Sequence, residues 1–169
     1  MSSPDRASRN AARFEPGVRP AAIPVLDALP EGPRSRLAPS VARLELKADV
    51  TFLREGQATD FLAIVVVGRV AVHMRVPERG PITILTLERG DIVGWSAIVA
   101  PYRATTSVTT LEPTELAIVD AETLRGLLAT DLELAAALHP LILDTVVARL
   151  AATRVQLLDL FQGHEADPW

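Results

Sequence analysis

The side chains able to do chemistry are few in this chain of 169 residues, and most of them are scattered. Its three histidines, His73, His139 and His164, fall on separate predicted elements, and there is no cysteine. A cupin-type metal enzyme clusters two histidines around one residue with a nearby glutamate and a later histidine, so no metal site is expected. Disulfides, thiolate ligands and a cysteine nucleophile are excluded by composition. Gly94-Trp95-Ser96 lacks the second glycine of a nucleophile elbow and has no local base. Walker-loop and zinc-protease signatures are missing too, so no catalytic residue is assigned and the chain is not expected to be an enzyme. What remains is a polar group: Trp95 and Ser96, then Arg103, Thr105, Thr106 and Ser107. A guanidinium, an indole N–H and several hydroxyls suit holding a small anion or polar ligand rather than transforming it. Alternatively, Trp95 fills its own pocket and the hydroxyls are merely exposed. A second set, Thr145, Arg149 and Thr153, recurs one helical turn apart. It could meet a ligand, a partner subunit or solvent.

The elements that must carry these residues follow from periodicity. Residues 1–22 are rich in Ser, Pro, Arg and Ala with Phe14 as the only aromatic, a composition that cannot bury enough surface to order itself, and they read as a flexible tail. Between 23 and 37, Pro24, Pro30 and Pro33 limit the chain to short helical turns, with Val25, Leu26, Leu29 and Leu37 seeking a core. From 41 to 120 apolar residues recur at every second position between turn signals about ten residues apart, the pattern of a β-roll or jelly roll. Strands are expected at 41–47, 50–54, 61–67, 70–76, 82–88, 105–111 and 115–119. The β-branched run 62–67 reads as a strand buried on both faces, and Gly68 permits the reversal that follows. After Asp120, a plausible N-cap, comes a short helix at 121–128, and Asp131 can cap the next segment. Pro140 fits the first turn of a final helix ending near 162. On that helix Leu143, Val147, Leu150, Leu157 and Phe161 line one side at spacings of three, four and seven, which predicts a homodimer seam, or else a face folded onto its own domain. Residues 163–169 read as a short tail.

Composition bounds the partners. A net charge of −4 argues against a basic face for nucleic acid. No apolar run was expected to reach the roughly 20 residues that span a bilayer. The expectation is a cytoplasmic protein with a homodimer or protein partner and no membrane contact. Lysine occurs only at Lys47 against sixteen arginines, the usage of a G+C-rich bacterial genome.

Several signals together resemble the cyclic nucleotide-binding domain of the catabolite activator family and of kinase regulatory subunits. They are the Arg54-Glu55-Gly56 turn, Asp60, the strand ending in Gly68-Arg69-Val70, the entry Gly90-Asp91-Ile92-Val93-Gly94, and the closing helix through Arg149-Leu150. The resemblance covers about residues 25–162. It implies a mainly β fold with flanking helices, and a ligand cassette at Gly94, Trp95, Ser96, Ala97, Arg103, Ala104, Thr105 and Thr106. In that family a short helix offers backbone N–H groups to the cyclic phosphate, an arginine neutralises it, and a glutamate accepts the ribose hydroxyl. Here the glutamate's position is Trp95, and indole donates but does not accept. The ungapped match puts Ala104 in the arginine's place, with Arg103 one residue early. A one-residue shift turns a side chain to the other face unless a bulge near Pro101 and Tyr102 absorbs it.

The implied function is a regulatory sensor module with a degenerate nucleotide pocket. Two alternatives stand beside it: a ligand-independent interaction scaffold or accessory subunit, and a true cyclic nucleotide binder using Arg103. No cofactor is assigned with certainty. Only seven residues follow the last helix, too few for a helix-turn-helix, so direct DNA binding is not expected.

Overall fold

The computed structural model describes residues 15–16, 23–76 and 80–162, with side chains described up to Val155. Two antiparallel sheets form the sandwich. The strands are β1 (Glu15–Pro16), β2 (Val41–Leu46), β3 (Thr51–Leu53), β4 (Phe61–Val67), β5 (Val70–Val76), β6 (Gly80–Leu87), β7 (Ile92–Val93), β8 (Ser107–Thr110) and β9 (Thr114–Asp120). One sheet has the order β1-β2-β9-β4-β7 and the other β3-β8-β5-β6. The jelly-roll expectation therefore holds, with strand ends within two or three residues of those predicted. Two residues of the expected N-terminal tail, Glu15 and Pro16, pair with Arg43 and Ala42 of β2. The rest of that tail, and the tail 163–169, lie outside the described residues.

Alternation explains the two cores. On β4, Ala63 and Val65 point between the sheets, where Leu44, Leu46, Val70, Val72, Val108, Leu116 and Ile118 meet them. Leu62, Ile64 and Val66 point the other way, into a layer built with Leu26, Leu37, Leu124, Leu134, Leu138 and Ile142 from the helices. A central strand buried on both faces has no polar beat, which is why this run reads as continuous β-branched sequence. Gly68 turns β4 into β5 at φ 89°, and a Cβ there would sit 2.7 Å from the Pro113 carbonyl oxygen. Only glycine fits both the angle and the space.

The helices are α1 (Pro24–Asp27), α2 (Glu31–Leu37), α3 (Ala121–Thr130) and α4 (Leu132–Gln162). Both expected caps are made: Asp120 Oδ1 accepts from Thr123 N at 2.8 Å, and Asp131 Oδ1 from Leu134 N at 2.9 Å. The Thr123 bond holds the Asp120 carboxyl below the usual carboxylate range, and Arg36 of α2 does the same for Asp131. Arg36 also reaches Glu133 at 2.8 Å, so α2 is tied to the first turn of α4.

Two expectations about α4 are corrected. Pro140 stands inside the helix, not in its first turn. It removes the bond to the Ala136 carbonyl, a local cost of about 3 kcal/mol. The helix runs through because Leu134, Leu138 and Ile142, four residues apart, bury on the core on both sides of the proline. Secondly, the stretch Leu132–Val155 is long and apolar enough to cross a membrane by length and composition, a run the sequence reading did not count. It nevertheless carries Glu133, Asp144, Arg149 and Arg154.

Candidate functional site

The cassette begins where β7 ends. Gly94 adopts φ 74°, and a Cβ there would lie 2.8 Å from the Phe61 carbonyl oxygen, so the chain turns tightly against β4. It then makes a single 3-10 turn, Trp95–Ala97, where the family resemblance implies a short helix. Ala97 is buried in the helix-side core, and its carbonyl accepts from Arg125 Nη1 of α3 at 2.7 Å. The same guanidinium lies 4.7 Å over the Tyr102 ring, so α3 clasps both ends of the cassette. Ser96 is buried, and its hydroxyl meets Thr59 Oγ1 at 3.4 Å.

The cassette exit decides the arginine question. Tyr102 has φ 60°, and the chain then pairs with the segment before β4: Arg103 bridges Ala58, Ala104 N donates to the Gln57 carbonyl at 2.9 Å, and Gly56 N donates to the Ala104 carbonyl at 2.8 Å. Strand alternation sends neighbouring side chains to opposite faces. Ala104, 4% exposed, points into the inter-sheet core. Arg103 points out, its Nη1 donating to the Gly56 carbonyl at 2.6 Å. The loop at Pro101 and Tyr102 does not turn Arg103 inward.

A cleft of about 220 Å³, open on one side, lies between the outer part of the β5–β6 hairpin and the second half of α4. Val72, Met74, Ile84 and Leu85 form its sheet wall, Val146, Arg149, Leu150 and Thr153 its helix wall, and Trp95, Thr105 and Thr106 its cassette edge. Of the residues expected at a site, Trp95, Thr105 and Thr106 thus meet there. Gly94, Ser96, Ala97, Arg103 and Ala104 do not line it. From the second set, Arg149 and Thr153 line the cleft while Thr145 does not, its hydroxyl donating back to the Leu141 carbonyl at 3.0 Å.

Sequence reasoning missed the sheet wall. Val72, Met74, Ile84 and Leu85 read only as strand residues, although Met74, 38% exposed and paired with the equally unburied Ile82, is the kind of unburied apolar residue that signals a surface in use. Arg149 is the cation of the cleft. Its Nη2 donates to the Ile92 carbonyl on the free edge of β7, and among the described residues no carboxylate pairs with it. Burial pushes its pKa down, and the negative charge of Asp91 opposes that shift. The guanidinium therefore remains a charged donor held at the junction of cassette, sheet and helix. Among the described residues no group of three His, Asp or Glu side chains comes together in a way that could hold a metal.

Comparison with known proteins bears on this arrangement. The model of the cyclic nucleotide-binding domain matches residues 43–131. A cyclic nucleotide-binding domain from Methylobacillus flagellatus KT superposes with a TM-score of 0.80 at 19% identity, over 91% of this chain and 92% of that one. The N-terminal domain of a transcriptional regulator from Streptomyces coelicolor A3(2) is 25% identical with a TM-score of 0.60, over 79% and 90%. The regulatory subunit of a cAMP-independent protein kinase A from Trypanosoma brucei, in a triply substituted form that gains an arginine in place of threonine and is bound to cAMP, matches at 20% identity. Its TM-score is 0.61, over 82% of this chain and 47% of that one. Among curated proteins, no sequence match was found. With the family model covering more than half of the 169 residues and the sandwich, cassette and closing helix in place, the chain belongs to the cyclic nucleotide-binding domain family.

Proposed function

We propose that this protein is a non-enzymatic regulatory sensor module whose cyclic nucleotide site is degenerate, and that it works as a homodimer through the second half of α4. The observation that carries the reading is the fate of the two cassette positions on which the family's ligand depends. Trp95 stands where a carboxylate would accept the ribose hydroxyl, and Ala104, where the arginine would stand, is sealed in the inter-sheet core. Arg103 does not line the cleft, and its Nη1 is taken by the Gly56 carbonyl. A cyclic phosphate at the cassette edge would lose water without gaining the charge-assisted partner that the family's arginine supplies there, and each such hydrogen bond is worth about 1.5–3 kcal/mol. The T. brucei kinase subunit offers a precedent, because its cAMP-bound form carries an introduced arginine.

The dimer reading rests on the exposed stripe of α4. Leu143, Val147 and Leu150 are each more than half exposed, at spacings of four and three suited to a helix–helix seam. A second copy covers such a stripe more readily than lipid does. Asp144, Arg149 and Arg154 would each cost about 2.5–3.5 kcal/mol at a bilayer centre, so the protein is read as cytoplasmic.

The experiment is a gain of binding. The double variant Trp95→Glu, Thr106→Arg, at two positions that line the cleft, is titrated with cyclic AMP beside the native protein, after a melting transition has shown that both are folded. The expected result is saturable binding to the variant at least about a hundredfold tighter than to the native protein, two restored charge-assisted contacts. Equal affinity in the two folded proteins contradicts the reading.

A further inference from the structure

We infer that the cleft under α4 is a binding site for a compact organic carboxylate, with the carboxylate on Arg149 and an apolar body between Trp95 and the β5–β6 hairpin. This rests on the degenerate-site reading above and names the ligand class that the altered pocket suits.

Three observations converge. The first is charge without a counter-ion: Arg149 is half-buried at the cleft, spends one donor on the Ile92 carbonyl, and meets no carboxylate among the described residues. A guanidinium has five N–H donors in a planar fork that matches a carboxylate. The second is the surrounding chemistry. Thr105 and Thr106 line the same cleft, Thr153 lines it with its hydroxyl donating back to the Arg149 carbonyl at 2.8 Å, and the Trp95 indole N–H takes no hydrogen-bond partner among the described residues. Val72, Met74, Ile84, Leu85, Val146 and Leu150 supply the apolar remainder. The third is size. About 220 Å³ lies below the roughly 300–1,000 Å³ of sites for drug-sized ligands, while an apolar cavity of about 150 Å³ already holds benzene. One ring with a carboxylate fits this space better than a purine, a ribose and a phosphate together.

Such a ligand would bridge three parts of the domain. It would touch the cassette through Trp95, the sheet through Ile84 and the helix through Arg149. Leu150 both lines the cleft and belongs to the exposed stripe, so occupancy and the helix–helix seam share a side chain.

The test uses Trp95 as its own reporter. The full chain carrying Trp169→Phe leaves Trp95 as the sole tryptophan. Its fluorescence is followed in titrations with benzoate, benzamide as the neutral isostere, inorganic phosphate, and cyclic AMP. The expected result is a saturable change with benzoate, binding about ten- to a hundredfold tighter than benzamide and tighter than phosphate, as one charge-assisted contact with an apolar body requires. Arg149→Met should remove the preference for benzoate over benzamide. Arg149→Lys, which keeps the charge and the fold but not the planar fork, should retain a part of it. Parity of benzoate and benzamide in the native protein, phosphate binding as tightly as benzoate, or a preference unchanged in both Arg149 variants overturns the inference. A saturable cyclic AMP signal would instead overturn the degenerate-site reading, so the two failures are distinguishable.

Discussion

Arg103 and Arg149 occupy two regions with opposite fates. At the cassette exit, strand pairing with residues 56–58 fixes which way each side chain points, and it sends Arg103 to the surface and Ala104 to the core. On α4, by contrast, the helix passes over the free edge of β7 and lowers Arg149 onto the Ile92 carbonyl at the rim of the cleft. The cassette edge of the cleft is lined by no cation, and its helix wall by Arg149. The lesson is that an anion site is defined by where the fold aims a guanidinium, not by which segment of sequence carries the motif.

The same helix sharpens the contrast, because its two halves do different work. Leu138, before Pro140, is 1% exposed, and Leu143, three residues after it, is 62% exposed. Leu138→Ala should therefore cost about 2–5 kcal/mol of unfolding free energy in denaturant melts. Leu143→Ala should cost within about 0.5 kcal/mol in the monomer, as surface changes do. Comparable losses from both would mean that the second half also packs on the domain, and the division of the helix would fail. Next in size is the seam. Leu150→Glu places a charge in the exposed stripe and should weaken self-association by about a hundredfold in sedimentation, since an unpaired buried charge costs several kcal/mol. Dimers of native strength would place the interface elsewhere and leave Leu150 to the cleft alone.

Much of the fold was legible in the sequence, for physical reasons that particular residues show. Period-two alternation bounded by Gly56, Gly68 and Gly90 placed the strands, and Asp120 and Asp131 announced the helix starts they cap. Pro140 misled because local geometry argues for a helix start, whereas burial of Leu134, Leu138 and Ile142 carries α4 through it. The site was half legible. Trp95 and the misplaced Arg103 could be read from the cassette, and Arg149 and Thr153 from helical spacing. The sheet wall could not, because Met74 and Ile84 reach α4 only through packing between elements distant in the chain. Leu157 and Phe161, named with the seam, lie where side chains fall outside the described residues.

The measurement closest to the central claim is calorimetric titration of the native protein with cyclic AMP and cyclic GMP. The account predicts no saturable heat at concentrations up to about a millimolar, the affinity left when the cassette's charge-assisted contacts are missing. Micromolar binding of either nucleotide would contradict it, and would mean that Arg103 or Arg149 holds the cyclic phosphate.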